Sequence, residues 1–223
     1  MPAQMNPMTV TDRIRDDYVR YLNTIYVFRD PQLREEFATA LRESDFLVKG
    51  PLLEASPPFE TGRTIGQMID DGTLSSGFSA LCSPALPADR PLYLHQDTAI
   101  EKVVKGRRNA VIATGTGSGK TEAFLVPILD HLLREHAAGL LSPGVRALLL
   151  YPMNALVNDQ LRRLRAVLRS FPAITFGRYT GETLEGQSAA EKQFREQSPD
   201  EPLIPNELLS RVALRETPPH ILI

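Results

Sequence analysis

Within seven residues, Gly115-Thr116-Gly117-Ser118-Gly119-Lys120-Thr121, the chain places three glycines, a lysine and a terminal hydroxyl. The apolar run Ala110-Val111-Ile112-Ala113 leads into them, and an amphipathic pattern of helical period leads out. That order restricts the fold sharply. A buried strand delivers the chain, small residues let backbone N–H groups close around an anion, and a helix N-terminus adds its positive dipole. In such a loop Lys120 reaches the β- and γ-phosphates of a nucleotide and the Thr121 hydroxyl holds Mg²⁺. Thr114 stands where the general pattern G-x-x-x-x-G-K-[ST] has its first glycine. The residues expected to line the phosphates are Thr114, Gly115, Thr116, Gly117, Ser118, Gly119, Lys120, Thr121 and Glu122, with Lys120 and Thr121 carrying the chemistry.

The 223 residues suffice for one large α/β domain, or one domain with an appended module. No apolar stretch nears the roughly 18 residues of a membrane span, and Met1-Pro2-Ala3-Gln4 leads into polar sequence rather than a secretory signal. Cys82 is the only cysteine, which excludes an internal disulfide and a cysteine-based zinc site and fits a reducing cytoplasm. A net charge of −2 gives no global attraction to nucleic acid, so any such contact rests on local clusters. The best cluster is Leu161 to Arg169, where Val157, Leu161, Leu164 and Leu168 form a buried stripe and Arg162, Arg165 and Arg169 share an exposed face. Judged alone, that face is as well read as simply solvated.

Along the chain, residues 11 to 29 predict a helix beginning at Thr11. Asp30-Pro31 starts a second helix, with Asp30 as N-cap, that ends near Glu43. Residues 46 to 62, with Pro51, Pro57 and Pro58, predict an extended segment. Thr64-Ile65-Gly66-Gln67 fits a capping box, and Gly72 stops that short helix. Residues 1–90 thus form a mostly helical accessory region, joined through Pro84, Pro87 and Pro91 to residues 91–223. There helix and strand alternate: a helix from Gln96 to Lys105, a strand from Asn109 to Ala113, a helix from Lys120 to His136 with Pro127 kinking it. A strongly apolar strand follows from Val145 to Tyr151, a helix from Asn154 to Arg169 and a strand from Ile174 to Tyr179. The polar stretch from Glu182 to Ser198 predicts a helix, Asn206 to Leu214 another, and His220 to Ile223 a strand. Such alternation is the pattern of an α/β fold, a parallel sheet with helices on both faces and a nucleotide site at the strands' carboxyl ends.

These segments together resemble the superfamily 2 helicases of DEAD/DEAH type. Leu92-Tyr93-Leu94-His95-Gln96 is similar to the family's segment ahead of the phosphate loop, whose glutamine, here Gln96, reads adenine; Tyr93 is placed to pack on the base. Thr114 to Thr121 resembles motif I. Tyr151-Pro152-Met153-Asn154-Ala155-Leu156 resembles motif Ia, in a form that lacks the familiar Pro-Thr-Arg-Glu-Leu and looks like that of the large Lhr-like, MrfA-like and DISARM-type helicases. Tyr179-Thr180-Gly181-Glu182 resembles the next strand-contacting motif, and Thr217 to Ile223 the segment before the acidic motif. The resemblance implies that residues 91–223 are a first RecA-like domain, with ATP and Mg²⁺ as cofactors. It also implies a single- or double-stranded nucleic-acid partner, DNA ahead of RNA, held by Pro152, Asn154, Arg162, Arg178, Thr180 and Gly181 through its sugar-phosphate backbone.

One part is missing. Hydrolysis needs a carboxylate beyond a second apolar strand to hold the metal, and a neighbouring acid to orient water. Asp16-Asp17, Glu35-Glu36 and Asp70-Asp71 precede the loop, and Asp200-Glu201 follows no apolar strand. The chain therefore reads as the N-terminal part of an ATP-dependent helicase, or a truncated gene product, without motif II and without the second RecA-like domain that would complete it in cis. By itself it is expected to be inactive. The rival readings are a nucleotide-binding regulatory module and a helicase-like subunit of a restriction or phage-defence system.

Overall fold

The computed structural model describes residues 6–43, 58–115 and 117–223. The expected extended segment from residue 46 lies outside them up to residue 57, as does Thr116. Contacts divide the chain after Pro57. In the first unit, α1 (Pro7–Ile25) begins four residues before Thr11, because Asn6 Oδ1 accepts the Met8 N–H at 3.0 Å and Pro7 takes the first helical position. The Asp-Pro pair starts α2 (Pro31–Glu43) as expected, Asp30 Oδ1 accepting the N–H groups of Gln32 and Leu33. The Phe37 ring packs against Tyr26 and Phe28.

The second unit, residues 58–223, opens with β1 (Thr61–Thr64). It runs into α3 (Ile65–Asp70) through the expected capping box: Thr64 Oγ1 accepts from Gln67 N, and Gln67 Oε1 from Thr64 N. Gly72, at φ +74°, ends that helix. A 3₁₀ turn over Ser76–Leu81 precedes the proline-bearing connection, which is more regular than its composition suggests: Ser83 and Leu86 form an antiparallel bridge, and it ends in β2 (Pro91–Tyr93), antiparallel to β1. Ile65, Met68, Phe78, Leu81 and Leu92 are all buried in one core with the helices that follow, α4 (Leu94–Val104) and α5 (Lys120–Ala137).

The remaining elements alternate strand and helix: β3 (Ala147–Leu148), α6 (Asn154–Leu168), β4 (Phe176–Gly177), α7 (Gln187–Gln197), β5 (Glu207–Leu208), α8 (Arg211–Glu216) and β6 (Ile221–Leu222). Their four strands form one parallel sheet in the order β3-β6-β4-β5, the α/β arrangement of a RecA-like domain. The C-terminal strand β6 is central, pairing Ile221 with both Ala147 and Phe176. The stripe Val157, Leu161, Leu164 and Leu168 is buried in the same core. No described helix is long and apolar enough to cross a membrane.

Two expectations fail. Asn109–Ala113 forms no strand: it makes no ladder, and Val111 is 97% exposed. A strand needs a neighbour, and none of the described strands pairs with this one; a cavity of about 400 Å³, lined by Ala110, Ile112 and Ala147, separates it from the edge strand β3. The predicted helix from Asn206 is the second. Asn206 is buried with its Nδ2 donating to Leu168 O and Ile174 O, which fixes an extended start, so β5 comes first. Ser210 Oγ then accepts Ala213 N and begins α8.

Candidate functional site

Gly117 and Gly119 turn the loop through left-handed conformations, φ +77° and +68°. A Cβ on Gly119 would stand 2.5 Å from Gln96 Nε2, so this position demands glycine twice over. Among the described residues no protein acceptor takes the N–H groups of Gly117, Ser118 or Gly119. Donors arrayed on a left-handed turn at a helix N-terminus suit an anion. Lys120 Nζ donates to the loop carbonyls of Thr114 (2.9 Å) and Gly115 (2.7 Å), which holds the ammonium at the loop itself. The hydroxyls of Thr114 and the fully buried Ser118 lie 2.6 Å apart and brace the turn. Thr121 is half-buried in the first turn of α5. The donor set fits a magnesium nucleotide: N–H groups and an ammonium for phosphate oxygens, a hydroxyl for the metal.

The loop is anchored by α4. Gln96, 3% exposed, accepts the Tyr93 N–H through Oε1 (2.7 Å), and its Nε2 donates to Gly119 O (2.6 Å) and Glu122 Oε2 (3.3 Å). Among the described residues Oε1 accepts no second hydrogen bond, so one of its lone pairs is unused. His95 Nε2 donates to Ser118 O (2.9 Å), and the Tyr93 ring stacks on His95 beside Phe59. Glu122 is the hub behind the loop: Oε1 accepts from Arg90 (2.8 Å) and from Arg163 of α6 (2.6 Å). Sequence reasoning missed Arg90, Arg163, His95 and Phe59, since their role is set by partners 23 to 41 positions away, and no spacing rule in the sequence signals those pairs.

The residues expected to touch a nucleic-acid backbone fall into two groups. Asn154 at the start of α6, Arg178 just after β4, and the following turn with Thr180 and Gly181 come together, while Pro152 is exposed just before α6. Asn154 Nδ2 donates to Glu182 (2.8 Å) and Arg178 Nη1 to Asn158 (2.9 Å). Thr180 spends its hydroxyl and N–H on its own turn. The arginine face of α6 departs from expectation. Arg162 is exposed, but Arg165 is not: its guanidinium lies over the Phe194 ring and pairs with Glu207 (2.6 Å) and Glu201 (2.6 Å). Burial lowers its proton affinity, and the two carboxylates more than restore it, Glu207 first. Acidic residues on a distant strand and turn, invisible to helical periodicity, claim it.

The order of these pieces, a capping glutamine, a glycine turn ending in Lys-Thr, and a helix that starts at Asn154, invites comparison with known motors. The model of the DEAD/DEAH box helicase family matches residues 93–200. This stretch is a DEAD/DEAH box helicase domain. It holds Gln96, the phosphate loop, α5, α6 and the turn with Thr180. The chain is 38% identical over 181 residues to the Druantia protein DruE of Escherichia coli, covering 74% of this chain and 10% of that protein. It is 37% identical over 111 residues to an uncharacterized ATP-dependent helicase of Methanocaldococcus jannaschii, 50% of this chain and 15% of the relative. It is 39% identical over 100 residues to the ATP-dependent RNA helicase dbp4 of Neosartorya fischeri, 45% of this chain and 11% of that one. The chain thus spans a tenth to about a seventh of these relatives. No solved structure matches it.

Proposed function

We propose that the helicase domain binds ATP with Mg²⁺ and serves a nucleic-acid-dependent ATPase that translocates on or unwinds nucleic acid, DNA first, in the cytoplasm. The observation that carries this reading is the loop: Lys120 sits against the Thr114 and Gly115 carbonyls beside glycine N–H groups that no acceptor among the described residues takes. When bound, the metal would neutralise phosphate charge, held on this side by the Thr121 hydroxyl. Lys120 would leave the carbonyls for the phosphates, and the acceptor lone pair of Gln96 would take the adenine amine. Asn154, Arg178, Arg162 and the turn around Thr180, Gly181 and Pro152 would hold sugar-phosphate without reading sequence. Residues 1–90 act as an accessory region to residues 91–223.

No adjacent acidic pair in these 223 residues follows an apolar strand beyond the loop so as to hold metal from the far side and position water. Phosphoryl transfer rests on that positioning, and loss of an arginine finger alone costs about 10³–10⁵ in rate. The 223 residues by themselves should therefore release no phosphate, with or without single-stranded oligonucleotide. A longer form carrying motif II and a second RecA-like domain should be stimulated by it. Lys120-dependent turnover by residues 1–223 would contradict this and point to Glu182, Glu185, Asp200 or Glu201 as an unrecognised catalytic carboxylate. The likeness to a Druantia protein over 74% of the chain favours a phage-defence setting for the motor.

A further inference from the structure

Glu182 occupies the centre of the predicted nucleic-acid contacts. One carboxylate oxygen, Oε1, accepts from Asn154 Nδ2 at 2.8 Å, and the other, Oε2, lies 3.5 Å from Arg178 Nη1. The two side chains best suited to grip a backbone phosphate therefore both face an anion supplied by the chain itself. The carboxylate fork offers them what a phosphate would: two oxygens sharing one negative charge, one for an amide and one for a guanidinium. Half of the Glu182 side chain is exposed, whereas only 16% of Arg178 is. The anion can swing out to water while the guanidinium stays fixed, held through Nη1 on Asn158 at 2.9 Å.

We propose that Glu182 is a displaceable phosphate mimic, a carboxylate that fills the backbone site formed by Asn154 and Arg178 and that a nucleic-acid strand must expel in order to bind. The inference rests on the nucleic-acid reading above and adds a determinant of affinity to it. Glu182 sets a threshold: a lone phosphate gains little by replacing a carboxylate already in place, whereas a strand delivering several phosphates displaces it through its other contacts.

The test is binding of a fluorescent 20-nucleotide dT strand to the 223-residue chain, followed by anisotropy across a salt series, with circular dichroism confirming that each variant is folded. Glu182→Gln keeps the acceptor for Asn154 and removes the charge. It should bind about three- to fivefold more tightly at low salt, the scale of an exposed ion pair. In an Arg178→Gln background the same change should gain nothing. Glu185→Gln alters the net charge equally on an exposed neighbour paired with Arg215, and it should leave affinity unchanged. Equal affinity of wild type and Glu182→Gln, or an equal gain from Glu185→Gln, would overturn the mimic and leave the nucleic-acid site standing. Folded wild type and Glu182→Gln that both fail to bind at the lowest salt would overturn the nucleic-acid reading and the mimic together.

Discussion

On its C-terminal side the phosphate loop runs into α5, where Leu125, Val126, Leu129 and Leu132 are buried in the main core. On its N-terminal side Asn109–Ala113 pairs with none of the described strands and leaves Val111 in solvent. Both flanks are apolar in sequence, and only one has found a partner. The loop is therefore positioned from behind, by the packing of α5 against the rest of the core and by Gln96, His95 and Glu122, rather than by the segment that delivers it. Ligand N–H groups are held in place by the helix they begin, which is the end of the loop that must stay rigid if phosphates are to meet a preset site.

Truncating each flank in turn sharpens this contrast most. Leu129→Ala leaves a cavity in a close-packed core and should cost about 2–5 kcal/mol. Val111→Ala should change stability by no more than about 0.5 kcal/mol, as exposed substitutions do. Urea unfolding followed by circular dichroism measures both, and similar losses would mean that the segment before the loop is packed after all.

Next in size is Gly119→Ala. It forces a Cβ both onto a left-handed backbone and to within 2.5 Å of Gln96 Nε2, so it should cost about 1–3 kcal/mol. Gly115→Ala meets nothing within 4 Å and has no such φ, so it should be nearly neutral. If the two variants unfold at the same urea concentration, the loop is not held by Gln96.

The contrast between flanks also explains what was legible in the sequence. Features fixed by residues close together in sequence could be read directly, as in the glycine turn ahead of Lys120, the Thr64 capping box and the Asp30-Pro31 helix start. So could the buried stripe of α6, because helical period and burial agree. What could not be read depended on partners far along the chain. Apolar composition made Asn109–Ala113 look like a strand, but a strand exists only with a neighbour. Three-residue spacing made Arg165 look exposed, but Glu201 and Glu207 reach it from another element. Asn154 and Arg178 could be singled out as expected contacts, whereas the carboxylate lying between them could not.

The smallest effect concerns the wall of α4. Arg63 Nη2 pairs with Asp97 Oδ1 at 2.5 Å and Arg63 Nη1 with Asp71 at 2.7 Å. Burial raises the Asp97 carboxyl, but the Arg63 hydrogen bonds and charge outweigh it and hold the group below its usual range; Thr73 and Arg63 do the same for Asp71. Both carboxyls thus bind protons more weakly folded than unfolded. Their contribution is complete above the unfolded value of about 3.9 and is lost as pH falls below it. Between pH 5 and 3, roughly, urea titrations should show wild type losing stability that Asp97→Asn does not. The difference should be at most about 1 kcal/mol, because Arg63 and Asp71 remain partly in water. Parallel pH profiles would detach this network from the stability of the α4 side.

The central claim is that the glycine turn with Lys120 and Thr121 is a magnesium-nucleotide site built on α5. Calorimetric titration of ATP with Mg²⁺ into the 223-residue chain and into its Lys120→Ala variant, both checked for an intact fold, tests this most directly. Wild type should bind, weakly and only with the metal present, and Lys120→Ala should bind measurably less tightly, because it loses the ammonium that faces the phosphates. Equal binding by a folded Lys120→Ala chain would contradict the account.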